Sequence, residues 1–215
     1  MANEKLNKPI FISGVIALVI LVFIFSFYLF LYNPRFYDHQ YSQNGIYQTF
    51  SYDETWNATT ELWNYMHFRI DELSDFYSTQ DKLHMIDVRN MIRTVSNILY
   101  VCCIVFLLSL LYFYSFNREE FAFWLYNVFF SASTLVFILL VFFVTLCFWF
   151  TQSFTLFHTF VFTNDYWLMD PAVDKLIQLF PEQFFYSIFM DILGVSLLFA
   201  VVLFGLSMYV KKRYM

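Results

Sequence analysis

The sequence predicts an all-α membrane protein with four transmembrane helices and amphipathic or interfacial helices on its outer face. Composition and pattern both point there. Of 215 residues, 60% are hydrophobic and 13% charged, about half the charged share of an ordinary soluble domain. The mean hydropathy is +0.58. The apolar residues form continuous runs rather than alternating ones, so the backbone groups are satisfied inside helices and not in a closed barrel.

The first run, Ile10 to Tyr32, contains no charge, and Pro9 suits a helix start. It is too long for a removable signal peptide and no small-residue cleavage site follows, so it reads as an anchor. The second run is Ile98 to Phe116. The third, Phe121 to Phe150, is longer than a span requires, and its first two turns (Phe121 to Asn127) are expected along the interface, where aromatic rings are favoured. The fourth, Phe184 to Val210, is interrupted only by Asp191. The expected organisation is one membrane domain, 1–215, with spans near 10–32, 98–116, 121–150 and 184–210. Outer segments 33–97 and 151–183 complete it.

Orientation follows from the basic residues. Lys5 and Lys8 lie at the start of the chain, Lys211, Lys212 and Arg213 at the end, and Arg118 in the tight turn Ser115 to Glu120. An even number of spans puts all three on one side, which the positive-inside rule makes cytoplasmic. Formal charge is about +3 on that side and about −7 on the other.

In the first outer segment, Leu62, Met66, Ile70 and Leu73 recur at helical spacing, predicting an amphipathic helix over 59–76 able to lie on the outer leaflet. Ser78 stands three residues before Asp81, an N-cap arrangement, and a helix from Gln80 is expected to run straight into the second span. The second outer segment is dense in aromatics from Phe154 to Trp167. It is expected to act as a lid or re-entrant piece packed on the span ends, with a short helix signalled by Asp170-Pro171 and stopped at Pro181.

No glycine-rich phosphate loop, CxxC or HExxH occurs, so nucleotide and zinc signatures are absent. No cofactor, metal or nucleic-acid partner is expected. Cys102, Cys103 and Cys147 sit in apolar runs and read as small buried hydrophobes. Asp191 has no cluster of basic residues beside it in the membrane to suggest an ion path. It reads either as interhelical glue, or a salt bridge to Arg89 or Arg93, or as part of a site. All four histidines, His39, His67, His84 and His158, fall on the outer side. His84 and His158 are expected to meet, because spans two and three are joined by a tight turn.

Several stretches together resemble the lipoprotein intramolecular transacylase family. They are His84-Met85-Ile86-Asp87-Val88-Arg89; Phe157-His158-Thr159-Phe160-Val161-Phe162 followed by Asn164 and Trp167; Leu176-Ile177 before Leu179-Phe180-Pro181-Glu182; and Leu62-Trp63-Asn64-Tyr65-Met66. Their order around four spans covers nearly the whole chain. One departure is that 79–83 lacks the glutamate expected shortly before His84.

The resemblance implies a bacterial enzyme of the cytoplasmic membrane acting on diacylglyceryl-modified lipoproteins. The sn-2 acyl chain would pass to the amine of the N-terminal cysteine, giving a lyso-form lipoprotein. It implies His84 and His158 as catalytic residues, with Asp87, Arg89, Trp167 and Asp191 supporting them or binding substrate and membrane lipid. The substrate supplies the nucleophile, an α-amine of pKa about 8, so no serine is required. Histidine can take a proton from that amine or return one to the glycerol oxygen. Which histidine does which is open at this level, and the oxyanion donors are not legible. The other reading is a non-catalytic membrane partner or assembly factor whose outer segments dock another protein or lipid.

Overall fold

The computed structural model describes residues 2–116 and 118–215, and of residues 2–6 the backbone alone; the Lys5 side chain and Asn117 lie outside the described parts. The described residues form nine α-helices and a 3-10 turn, with no strand. In order these are α1 (Ala2–Leu31), α2 (Pro34–Gln43), α3 (Ile46–Thr49), α4 (Tyr52–Met66), α5 (Thr79–Phe116), the turn Arg118–Glu120, α6 (Phe121–Cys147), α7 (Phe150–Val161), α8 (Lys175–Leu179) and α9 (Glu182–Tyr214). Four stretches are long and apolar enough to cross a membrane: Asn7–Leu31, Thr79–Phe116, Arg118–Cys147 and Glu182–Tyr214. The chain therefore has the all-α, four-span class that its composition predicts.

Helix α1 runs through Pro9 rather than starting after it; a proline this early forfeits a single backbone hydrogen bond. The helix expected from Gln80 into the second span is one element, α5, of 38 residues. At about 1.5 Å per residue it reaches about 57 Å, roughly twice the hydrocarbon core, so its first five turns exceed what a span needs.

The chain divides into two compact units. The first comprises Met1–Tyr28, Ser96–Thr145 and Asp191–Met215; the second comprises Leu29–Val95 and Leu146–Met190. Small residues and hydroxyls close the first unit, as expected where lipid removes the ordinary hydrophobic drive between helices. At Gly14 a Cβ would approach Ser109 Cβ to 3.3 Å. Ser196 Oγ donates to Ser26 Oγ at 3.0 Å, both fully buried, and Tyr28 and Ser96 share a 2.6 Å hydrogen bond. Cys102 is buried with Ala17 and Leu21, as its apolar surroundings in the sequence suggest. Leu108, Ile138 and Leu198 point outward, a surface suited to hydrocarbon.

The second unit has an aromatic core. Asn33 caps α2 through its side chain, with Pro34 in the first turn. Ser51 caps α4, accepting from Glu54 N at 3.2 Å. Tyr41, Tyr77, Phe180 and Phe184 are buried. The two tyrosine hydroxyls are satisfied: Tyr41 shares a 2.6 Å bond with Thr59 Oγ1, and Tyr77 donates to Ala58 O at 2.8 Å.

Two expectations change here. The helix expected over 59–76 is α4, which starts at Tyr52 and stops at Met66. Its apolar residues Ala58, Leu62, Tyr65 and Met66 are buried inside the unit instead of facing lipid. The stop is a paired-turn cap: Phe68 N donates to Tyr65 O and Arg69 N to Asn64 O, with Phe68 at φ 59° in the position glycine usually takes. The aromatic outer segment, expected as a lid or re-entrant piece with one short helix, carries a second helix as well, α7, after a break at Phe148-Trp149.

Candidate active site

His84 and His158 come together within the second unit. His84 stands on the second turn of α5, and His158 in the last turn of α7; both are buried. Their ring centroids are 6.1 Å apart with a 33° tilt. Phe162 lies 5.1 Å from His84 and 5.6 Å from His158, Phe154 lies 4.3 Å from His158, and Trp167 lies 5.1 Å from His158 with its ring tilted by 34°.

One hydrogen bond sets the tautomer of His158. Its Nδ1 is 2.7 Å from Phe154 O, a carbonyl that can only accept. Nδ1 therefore carries the hydrogen, and in the neutral ring Nε2 keeps its lone pair. Burial among aromatic rings lowers the His158 pKa below the ordinary imidazole value; the bond to Phe154 opposes that shift in part. The ring is thus an available base at neutral pH. Nδ1 of His84 is buried and has no hydrogen-bond partner among the described residues. A polar nitrogen left open beside a second histidine suits a reacting group better than a packing role.

Three side chains of α5 fasten the segment after α7. Gln80 Nε2 donates to the carbonyls of Asp165, Tyr166 and Leu168 at 3.2, 3.1 and 3.4 Å. Asp81, fully buried, accepts from Ser78 N, Lys175 N and Leu176 N at 3.0, 3.0 and 3.3 Å. Asp81 N in turn donates to Ser78 Oγ at 3.0 Å, the reciprocal cap that Ser78 and Asp81 announce in the sequence. Asp87 Oδ2 accepts from Asn164 Nδ2 at 2.9 Å. Gln80, His84 and Asp87 are spaced four and three residues apart, hence on one helix face. Gln80 is the residue near the histidines that motif reading overlooks, although its four-residue spacing from His84 was there to see; Asp81 was read as a cap alone.

The remaining candidates behave differently. Arg89 Nη2 donates to Ile70 O at 3.2 Å, and its guanidinium lies over Tyr65 and Phe68. Asp191 belongs to the first unit, where its side chain is exposed. Beside Phe162 is a cavity of about 360 Å³. Asp87, Asn90 and Asn164 make its polar side, and Met91, Val161 and Phe162 its apolar side. No group of three or more His, Cys, Asp or Glu that could hold a metal occurs among the described residues.

Comparisons with known proteins bear on the family and the fold. The family model described as "Lipoprotein intramolecular transacylase Lit" matches residues 11–185. Among solved structures, the membrane integral lipoprotein intramolecular transacylase Lit from Bacillus cereus superposes with a TM-score of 0.82 at 22% identity, over 98% of both chains. Two variants of that protein, with one histidine replaced by arginine or by alanine, give TM-scores of 0.75 and 0.76 at 20% and 21% identity. They cover 98% of this chain and 94% and 96% of theirs. No curated protein matches. With four-fifths of its length inside the family model, this multi-pass membrane chain belongs to the lipoprotein intramolecular transacylase family and is an acyltransferase.

Proposed function

We propose that the chain moves the sn-2 acyl chain of a diacylglyceryl lipoprotein to the α-amine of its N-terminal cysteine, with His158 as proton carrier and His84 as its partner. The observation that carries this is the buried histidine pair at 6.1 Å with Nε2 of His158 left as acceptor. Nε2 takes the proton as the amine attacks the sn-2 carbonyl. The tetrahedral intermediate then collapses, the carbonyl carbon leaves the glycerol oxygen for nitrogen, and the imidazolium returns its proton to that oxygen. His84 faces the same point and supplies an N–H to the carbonyl oxygen as charge develops. Base and acid thus fall to one ring in turn, and His84 polarises.

Asp87, held by Asn164, hydrogen-bonds the incoming amine at the polar side of the cavity once the ammonium has released one proton to solvent, and Trp167 fixes the plane of His158. Holding amine and ester of one substrate together removes much of the entropic barrier. The substrate's lipidated end lies at the outer leaflet of the bacterial cytoplasmic membrane, so we place this unit there and both termini in the cytoplasm.

A synthetic lipopeptide with an isotopically heavy chain at sn-2 only tests the route. Fragmentation of the product is expected to show the heavy chain on the amide nitrogen. A light chain on nitrogen, or a chain drawn from a second molecule, contradicts it.

A further inference from the structure

The transfer uses one end of the cavity beside Phe162, where Asp87 meets the amine. The rest of that space is unassigned. Phe162 lies against both histidines and forms part of the cavity lining, so whatever fills the cavity adjoins the reacting groups. All of the lining residues belong to the second unit. Asp87, Asn90, Met91 and Thr94 recur at intervals of three and four residues, hence on one face of α5. A volume of about 360 Å³ is at the small end of ligand cavities.

The hydrogen-bond donors decide what the space can hold. Asp87 only accepts. Asn164 is committed at both ends of its amide: Oδ1 accepts from Tyr166 N at 3.1 Å and Nδ2 donates to Asp87 at 2.9 Å. Thr94 Oγ1 donates to Asn90 O at 3.0 Å. The Asn90 amide and the Thr163 hydroxyl line the cavity as well, and neither side chain has a hydrogen-bond partner among the described residues. No lysine, arginine or histidine lines the cavity. A phosphate or carboxylate would face Asp87 with no cation to offset it, which excludes an anion. Two neutral donors suit a neutral acceptor, a carbonyl oxygen. Met91, Val95 and Val161 give that acceptor an apolar flank.

The course of α5 selects among the carbonyls of the substrate. Asn90 follows His84 by six residues, about 9 Å along the helix. From Ile98 the sequence enters the charge-free run of the second span, so along α5 the membrane lies beyond Thr94 and water beyond Gln80. The acyl chains of a membrane-held substrate leave on the first side and its peptide on the second. We propose that Asn90, with Thr163, binds the ester of the acyl chain that is not transferred, by donating to its carbonyl oxygen while Met91, Val95 and Val161 take the start of that chain. This assignment rests on the transfer reading above and adds a determinant of substrate specificity: the site selects a glyceryl group esterified at the neighbouring carbon too.

Two synthetic lipopeptides test it, both with an acyl ester at sn-2. One carries a second ester at the neighbouring glyceryl carbon; the other carries an ether-linked alkyl chain there, which keeps the chain and lacks the carbonyl. With the purified natural protein the ether compound is expected to show a KM about fivefold higher at unchanged kcat, the mark of a contact made equally in ground and transition states. Asn90→Leu and Thr163→Val are each expected to raise KM for the ester compound and to leave KM for the ether compound where it was. Equal KM for the two compounds in the natural protein overturns the assignment without recourse to any variant. A penalty of the same size on both compounds in folded Asn90→Leu also overturns it, since Asn90 would then be holding another part of the substrate, such as a peptide carbonyl. Conversion of both compounds with equal KM leaves the transfer reading standing; conversion of neither defeats that reading and this inference with it.

Discussion

The hydrogen bond from His158 Nδ1 to Phe154 O leaves Nε2 with the lone pair in the neutral ring, and burial favours that neutral form. Because the folded pKa lies below the unfolded one, the unfolded chain binds the proton more readily as pH falls. Stability from this group is therefore complete above the unfolded value of about 6.5 and declines as pH drops through that value toward the folded one. In a ¹⁵N titration of labelled imidazoles, the His158 ring should remain neutral at pH 6.5, and protonation at or above that pH contradicts the reading. Asp81 makes a separate prediction. Asp81→Ala strands three backbone N–H groups and should lower unfolding stability by about 3 kcal/mol. It should also slow acyl transfer through the loosened Trp167 segment; an unfolding midpoint equal to that of the natural chain would refute this. At this scale the sequence left the partners of Arg89 open: it stands two residues from Asp87, on a different side of α5, and turns to Ile70 O and the rings of Tyr65 and Phe68.

Helices show the same division between what pattern reveals and what it hides. The junction of α5 with its span was legible because Ser78 and Asp81 mark the start and no breaker follows. The end of α4 was not, since Ile70 and Leu73 continue the helical period while the terminator is a phenylalanine in a glycine position. Helix α7 escaped notice because Phe154, Leu156, Phe157, Phe160 and Val161 make it apolar on nearly every side, leaving little contrast for a period to show. In the first unit, the approach of α1 to α5 depends on Gly14. Gly14→Leu must displace Ser109 and should destabilise by about 1–3 kcal/mol in a detergent unfolding assay. An equal or higher midpoint would mean that the contact at Gly14 does not limit packing.

For the whole molecule, the span pattern was readable from composition because a bilayer tolerates few backbone solutions. The histidine pair was not readable from physics in the same way. His84 and His158 are 74 residues apart; the tight turn between spans two and three suggested that they meet, but their choice as catalytic residues rested on family motifs, and the structure supplies the distance and the tautomer. The proposed topology has its own check. An alkaline phosphatase fusion after Gly45 should be active and one after Met215 inactive, with a fluorescent protein at Met215 bright; the opposite pattern would invert the orientation. That the two buried histidines perform the transfer is checked by incubating purified His84→Ala and His158→Ala proteins with synthetic diacylated lipopeptide and weighing the product. Each variant should fold and should form the lyso product at least about 100-fold more slowly. A folded variant of either histidine retaining more than about half the natural rate would contradict it.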